Sequence, residues 1–388
     1  MDAALDRILQ DAVASGEAPG VAAIVTYAGG VIYQGQAGPR RIDDARPLAA
    51  DTVYQIHSMT KPIAATGVMQ LVEQGRLDLD ADCGDILPAL KAPLVLDGFD
   101  ADDRPILRPA AAPVTLRRLL THTAGFVYEQ WNPDQKKWLE QTGLKRSEYY
   151  NGPAKCPPLG FDPGARWEYG INIDWAGKAL EAVTGESLAA YLAREVLEPL
   201  GMTSTGYVAS DAMRARMAGV HQRQPDGRVE PVDFEHPRMD PAHFTGGGGM
   251  YGSAQDYARF MRMILNRGEL DGRRILKPET VNLMSRNNIG DIEVTGLPSA
   301  LPAITYPFDF YPGQPKRWGL SFMINMADVP GARRAGTLSW AGLRNTYFWI
   351  DPASGLAGAI FAQMLPFADP KVLAIYDRFE RAVYAAAK

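Results

Sequence analysis

In VYQIHSMTKPIAATGVMQLVEQGRLDLDADCGDILP, residues 53–88, a strand-like VYQI runs into Ser58-Met59-Thr60-Lys61 and then into a long apolar-rich stretch ending at Gly75. Residues three apart on a helix share a face, so Ser58 and Lys61 meet if a helix begins near Ser58. Proline lacks an amide hydrogen and is tolerated only in a first turn, so Pro62 supports that start. The pattern predicts a helix over 59–74, with Gly75 just past its end. A serine at a helix amino terminus sits in a positive potential that favours a developing oxyanion. Ser-x-x-Lys alone is a weak motif, because a chain of 388 residues contains it about once by chance. An exposed capping serine beside a solvated lysine satisfies it too, so the flanking sequence has to decide.

Upstream, apolar residues at helical spacing run from Asp2 to about Ser15, and VAAIVTY, Gly29-Gly30 and VIYQGQAG read as a β-hairpin. Helical periodicity dominates the middle, in LRRLLTHTAGF, DWAGKALEAVTG and LAAYLAREVLEPLG. After the glycine run Gly246 to Gly249, Ser253 and Asp256 are spaced as a capping box ahead of DYARFMRMILNRG. WGLSFMINM, GTLSWAG, RNTYFWIDP and LAGAIFAQM read as strands, and a closing helix is predicted from about Asp369 to Ala387. Strands at both ends with helices between imply an α+β sandwich: one antiparallel sheet built from both chain ends, flanked by helices. A single domain is expected, its α/β part about 1–65 and 245–388 and its mainly helical part about 66–244.

The formal charge of -5 and the scattered basic pairs, such as Arg40-Arg41 and Arg333-Arg334, argue against a nucleic-acid partner. Nowhere do eighteen apolar residues run together, so no membrane span is expected, and the amino terminus lacks a basic and then apolar leader. A cytoplasmic location follows as an expectation. Cys83 and Cys156 form no CxxC and read as buried free thiols. His57, His122, His221, His236 and His243 are scattered without an HExxH, so no metal and no cofactor are expected. A Gly-x-Ser-x-Gly elbow is also absent. Aromatics in FEHPRMDPAHF, in YPFDFYPGQPKRW and around Tyr128 and Trp131 are candidates for an apolar pocket wall.

Together with residues 53–88, the segments LLTHTAGF, EPLGMTSTG and TGGGGMYGSAQDYARF fall in the order of the landmarks of one superfamily. The chain resembles the serine β-lactamases and penicillin-binding proteins. Within that group it is most similar to the family VIII carboxylesterases, and it also resembles the fungal acyltransferase branch related to simvastatin synthesis. The resemblance implies a β-lactamase-like fold, Ser58 as acylated nucleophile, Lys61 beside it, and Tyr169 of WEYGINIDW as the third catalytic group. Family members commonly read Tyr-x-Asn or Tyr-Ser-x at that place, whereas here Asn172 stands one position late. Where many members carry Lys-Thr-Gly, this chain has Trp340-Ala341-Gly342, a variant of the esterase branch. The missing lysine removes a cation for a substrate carboxylate, which favours a neutral ester. Gly342 is expected to let substrate approach the backbone, with the Leu343 and Ser58 amides as the oxyanion hole. Trp340, His57 and Tyr128 join Gly342 as expected substrate-binding residues.

Serine attacks only once its proton is taken, so a base must lie within reach of Ser58. A neutral Lys61 and an ionised Tyr169 both qualify, and the pair is expected to titrate together. The expected reaction is hydrolysis of short to medium acyl esters, with a small-molecule ester as the partner. Acyl transfer to an alcohol is the nearest alternative. Weak β-lactam or D-amino-peptide hydrolysis follows, and a non-catalytic scaffold is the remote reading.

Overall fold

The computed structural model describes residues 2–149, 155–233 and 244–387. Helix α1 (Asp2–Ala14) leads into the hairpin β1 (Val21–Tyr27) and β2 (Gly30–Ala37), then β3 (Val53–Gln55) and α2 (Thr60–Glu73). Across the helical middle runs α3 (Asn172–Thr184), followed by β4 (Tyr251–Ser253) and α4 (Ala254–Leu265). The carboxyl third supplies β5 (Lys316–Trp318), β6 (Met323–Asn325), β7 (Leu338–Gly342), β8 (Thr346–Asp351), β9 (Leu356–Phe361) and α5 (Pro370–Ala386).

Seven strands form one antiparallel sheet in the order β5-β6-β7-β8-β9-β1-β2. The seam between the chain ends is β1 against β9, from Ala22 opposite Phe361 to Tyr27 opposite Leu356. Neighbouring side chains on a strand point to opposite faces, and β8 shows what covers each face. Phe348 meets Tyr257 of α4 at 5.2 Å between ring centroids, while Trp349 meets Tyr376 of α5 at 5.8 Å. Both faces are therefore dry, which is why β8 and β9 are buried at every position. Each such large apolar side chain contributes roughly 1.5–3 kcal/mol by leaving water. Opposite Trp349 stands Gly358, where any Cβ would collide with the indole. This is the expected α+β sandwich.

Three expectations need correction. WGLSFMINM is two strands, because Gly319 to Phe322 form a turn with Ser321 at φ 80°, and Trp318 pairs back onto Met323. The turn buries Leu320 and Phe322, so an apolar run that reads as one strand is a hairpin. LRRLLTHTAGF is helical only over Leu116–Leu120, because His122 adopts φ 58° and breaks the helix. The capping box is half formed. Ser253 accepts the Asp256 N–H at 3.2 Å, but the Asp256 carboxylate accepts from Ser204 N and Thr205 Oγ1 instead.

The helix LAAYLAREVL changes to a π turn at Ala193–Leu197, and a helix at Pro133–Thr142 had no counterpart in the sequence reading. Cys83 is buried and Cys156 partly so, both as free thiols. Among the described residues, no helix is long and apolar enough to cross a membrane. His236, His243 and most of FEHPRMDPAHF lie outside the described residues.

Candidate active site

Ser58 lies on a 3-10 turn, His57–Met59, that joins β3 to α2, so the α-helix proper begins two residues after it. His57 bends the chain with φ 42°, and Tyr257 of α4 donates its hydroxyl to Met59 O at 3.2 Å, fixing the turn from below. Helix α2 is buried from Thr60 to Leu71, as expected of a helix packed on all sides. Lys61 in its first turn therefore reaches no water: it is 0% exposed. Its Nζ lies 3.2 Å from Ser58 Oγ, 3.1 Å from Tyr128 Oη and 2.7 Å from the Gly247 carbonyl oxygen. Burial lowers the Lys61 pKa to about 7, with Asp174 opposing that shift and Arg146 adding to it.

Tyr169 precedes α3 and comes to the same place. Its hydroxyl is hydrogen-bonded to the Ser58 side chain and accepts the Trp340 Nε1–H at 3.0 Å. Burial raises its pKa, and those two hydrogen bonds offset part of the rise. Lys61 Nζ stands 4.6 Å from the centre of the Tyr169 ring. The three residues named from the sequence thus meet at one pocket, Lys61 and Tyr169 buried and Ser58 partly exposed at its mouth.

The remaining expected residues divide. Trp340, His57, Tyr128 and Leu343 line a cavity of about 320 Å³ that also contains Ser58 and Tyr169. That volume is within the range of small-ligand sites, roughly 300–1,000 Å³. Tyr128 does more than line it, since its hydroxyl accepts from Lys61. His57 Nε2 lies 3.2 Å from Gln55 Oε1, and burial, then Arg344 and Lys61, lowers its pKa to about 3. Gly342 is the correction. It does not line the cavity; a Cβ there would collide with Ile56 O and Thr346 Oγ1. The glycine lets β7 press against the backbone that leads into the turn carrying Ser58, while its neighbours Ala341 and Leu343 line the cavity.

Asn172 also lies away from the cavity. Its Nδ2 donates to Phe126 O at 2.8 Å and faces His122 Nδ1 at 3.1 Å, so it braces the Tyr169 loop. His122 grips that loop at alternate positions: its carbonyl accepts the Glu168 N–H and its Nδ1 the Gly170 N–H. The glycine run reaches the site as well, through the Gly247 carbonyl on Lys61. Sequence reasoning missed Asp174 and Arg146, both on the cavity wall. An acid in the first turn of a helix looks ordinary, and nothing in the spacing of Arg146 marks it.

A family model described as Beta-lactamase matches residues 5–382. Monacolin J acid methylbutanoyltransferase of Aspergillus terreus is 33% identical over 348 residues, covering 87% of this chain and 83% of that protein. Lovastatin esterase of Penicillium rubens is 31% identical over 373 residues, 91% of each chain. The LovD6 mutant of simvastatin synthase from Aspergillus terreus superposes with a TM-score of 0.85 at 30% identity, covering 99% of this chain and 97% of that one.

Proposed function

The chain belongs to the beta-lactamase family, whose relatives here transfer or hydrolyse acyl groups, and from that premise we propose that it is a carboxylesterase for short to medium acyl esters. Ser58 is the nucleophile, Lys61 its base, and Tyr169 the acid that returns the proton. The observation that carries this reading is the set of partners around Lys61. A neutral amine has two N–H donors and one lone pair. Gly247 O can only accept, and it takes one N–H at 2.7 Å. Tyr128 Oη takes the other at 3.1 Å, so in the neutral amine the lone pair is left to face Ser58 Oγ, 3.2 Å from Nζ, and can receive its proton. A pKa of about 7 makes the neutral form accessible at neutral pH, whereas burial holds Tyr169 as a phenol.

In the forward step Ser58 Oγ attacks the ester carbonyl while its proton passes to Lys61. The Ser58 and Leu343 amides, at the close junction of β7 with the nucleophile turn, serve as the oxyanion hole. The Lys61 and Tyr169 pair then returns the proton to the leaving alcohol, and the acyl-enzyme forms. Water reverses the sequence: it adds to the acyl carbon, the base takes its proton, and Ser58 departs as the hydroxyl. Trp340 Nε1–H donates to the phenol oxygen and holds it beside Ser58, where Tyr169 can pass its own proton to the leaving group.

One observation favours a second reading. The cavity wall includes Trp131, Leu297, Leu343 and Phe367, which suits an apolar alcohol as the second substrate in place of water. Acyl transfer is thus the alternative outcome of the same acyl-enzyme, as in the methylbutanoyltransferase relative's name.

The test is hydrolysis of p-nitrophenyl butyrate by wild type and by Ser58→Ala. A loss of at least about 10³-fold is expected; wild-type rates in the variant would end the proposal. Adding a bulky apolar alcohol and measuring the new ester against free acid separates hydrolysis from transfer.

A further inference from the structure

Asp174 takes no part in the chemistry above, yet its carboxylate is 1% exposed and lines the same cavity. It stands in the first turn of α3, and its Oδ1 accepts the Gly247 N–H at 2.5 Å. The carbonyl of that same glycine accepts from Lys61 Nζ. Gly247 is wedged there: a Cβ would collide with Asp174 Oδ1 and come within 3.1 Å of the Tyr128 hydroxyl. Arg146 Nη2 lies 3.9 Å from Asp174 Oδ2, with its guanidinium 4.5 Å from the centre of the Tyr128 ring.

A base buried this deeply faces a conflict. Burial makes the amine neutral, but a weaker base also takes the serine proton less readily. A nearby anion restores basicity without admitting water. We propose that Asp174 is a positioning residue for the Ser58 and Lys61 pair: it holds the Gly247 carbonyl on Lys61 and supplies the anion that keeps the amine basic enough to deprotonate Ser58. The inference rests on Lys61 as the base. Its titratable and charged surroundings are His57 on the nucleophile turn, His122, Tyr128 and Arg146 on the facing loops, Tyr169 ahead of α3, and Asp174 itself. Among these, Asp174 acts on Lys61 as an anion and Arg146 as a cation that opposes it.

Asp174→Asn retains an Oδ1 acceptor for the Gly247 N–H and deletes only the charge. The experiment is kcat/KM for p-nitrophenyl butyrate against pH, corrected for spontaneous hydrolysis, in wild type, Asp174→Asn and Arg146→Gln. Wild type is expected to show an acid limb near pH 7. In Asp174→Asn the limb moves down by roughly one pH unit or more, with KM little changed. In Arg146→Gln, which removes the opposing cation, it moves up. An Asp174→Asn limb coincident with that of wild type overturns the role of Asp174. If Asp174→Asn does not fold, an unmoved or lowered limb in Arg146→Gln overturns it. A wild type with no acid limb defeats the assignment of Lys61 itself, a failure distinct from the other two.

Discussion

The indole Nε1–H of Trp340 donates to the Tyr169 hydroxyl at 3.0 Å, tying the middle of β7 to the loop ahead of α3. Tryptophan here fixes the direction of the phenol proton, because an oxygen that accepts from the indole turns its own hydrogen elsewhere. The rings lie 4.8 Å apart between centroids, so the pair is also packed. Trp340→Phe keeps most of that packing and removes the donor. Its kcat is expected to fall about tenfold, the worth of one hydrogen bond of roughly 1–1.5 kcal/mol. Steady-state kinetics on a p-nitrophenyl ester measures this, and an unchanged kcat would deny the indole a part in orienting Tyr169.

Lys61 also gives the fold a pH signature. Below about pH 7 the amine is charged in both folded and unfolded chains, and the folded state bears the full cost of a buried cation. Between about 7 and the ordinary 10.5 it is neutral when folded and charged when unfolded. The unfolded chain then binds more protons, so stability rises with pH through that window and levels off above it. Lys61→Met has no such term. Wild type should therefore gain on Lys61→Met by about 1 kcal/mol per pH unit between pH 7.5 and 9.5, as read by urea unfolding. A difference independent of pH would mean that Lys61 is charged in the folded protein.

His122 is held at φ 58°, in the region that asparagine tolerates best among residues with side chains other than glycine. Its Nδ1 must be an acceptor, since the Gly170 N–H points at it from 3.4 Å. Asparagine offers both the backbone tolerance and an Oδ1 near the same place; phenylalanine offers neither. His122→Asn is expected to stay within about threefold of wild-type kcat, while His122→Phe loses about 10- to 100-fold and melts earlier. Equal activity in both variants would show that the Tyr169 loop keeps its shape without this acceptor.

Much of the site was legible in the sequence, and for local reasons. Ser58 and Lys61 meet because three residues make nearly one helical turn, and Pro62 marks where that turn lies. Tyr169 and Trp340 were reachable only through resemblance, since no spacing along the chain brings residues so far apart together. Asp174 and Gly247 stayed hidden because their meaning arises from a bond between α3 and a glycine loop distant in sequence. Gly342 was legible as a place needing a glycine, but not what approaches it, which is the Ile56 carbonyl. The sheet was readable from its apolar runs, except where the turn at Gly319 to Phe322 buries its own apolar side chains. Composition does not distinguish such a turn from a strand.

The account depends most on a covalent bond between an acyl carbon and Ser58 Oγ. Intact-protein and peptide mass spectrometry after rapid mixing with a slowly hydrolysed ester measures it directly. The result expected is one added acyl mass on the peptide carrying Ser58, decaying to free acid or to a new ester, and absent in Ser58→Ala. Ester turnover with no mass on Ser58, or with the label on another residue, would contradict it.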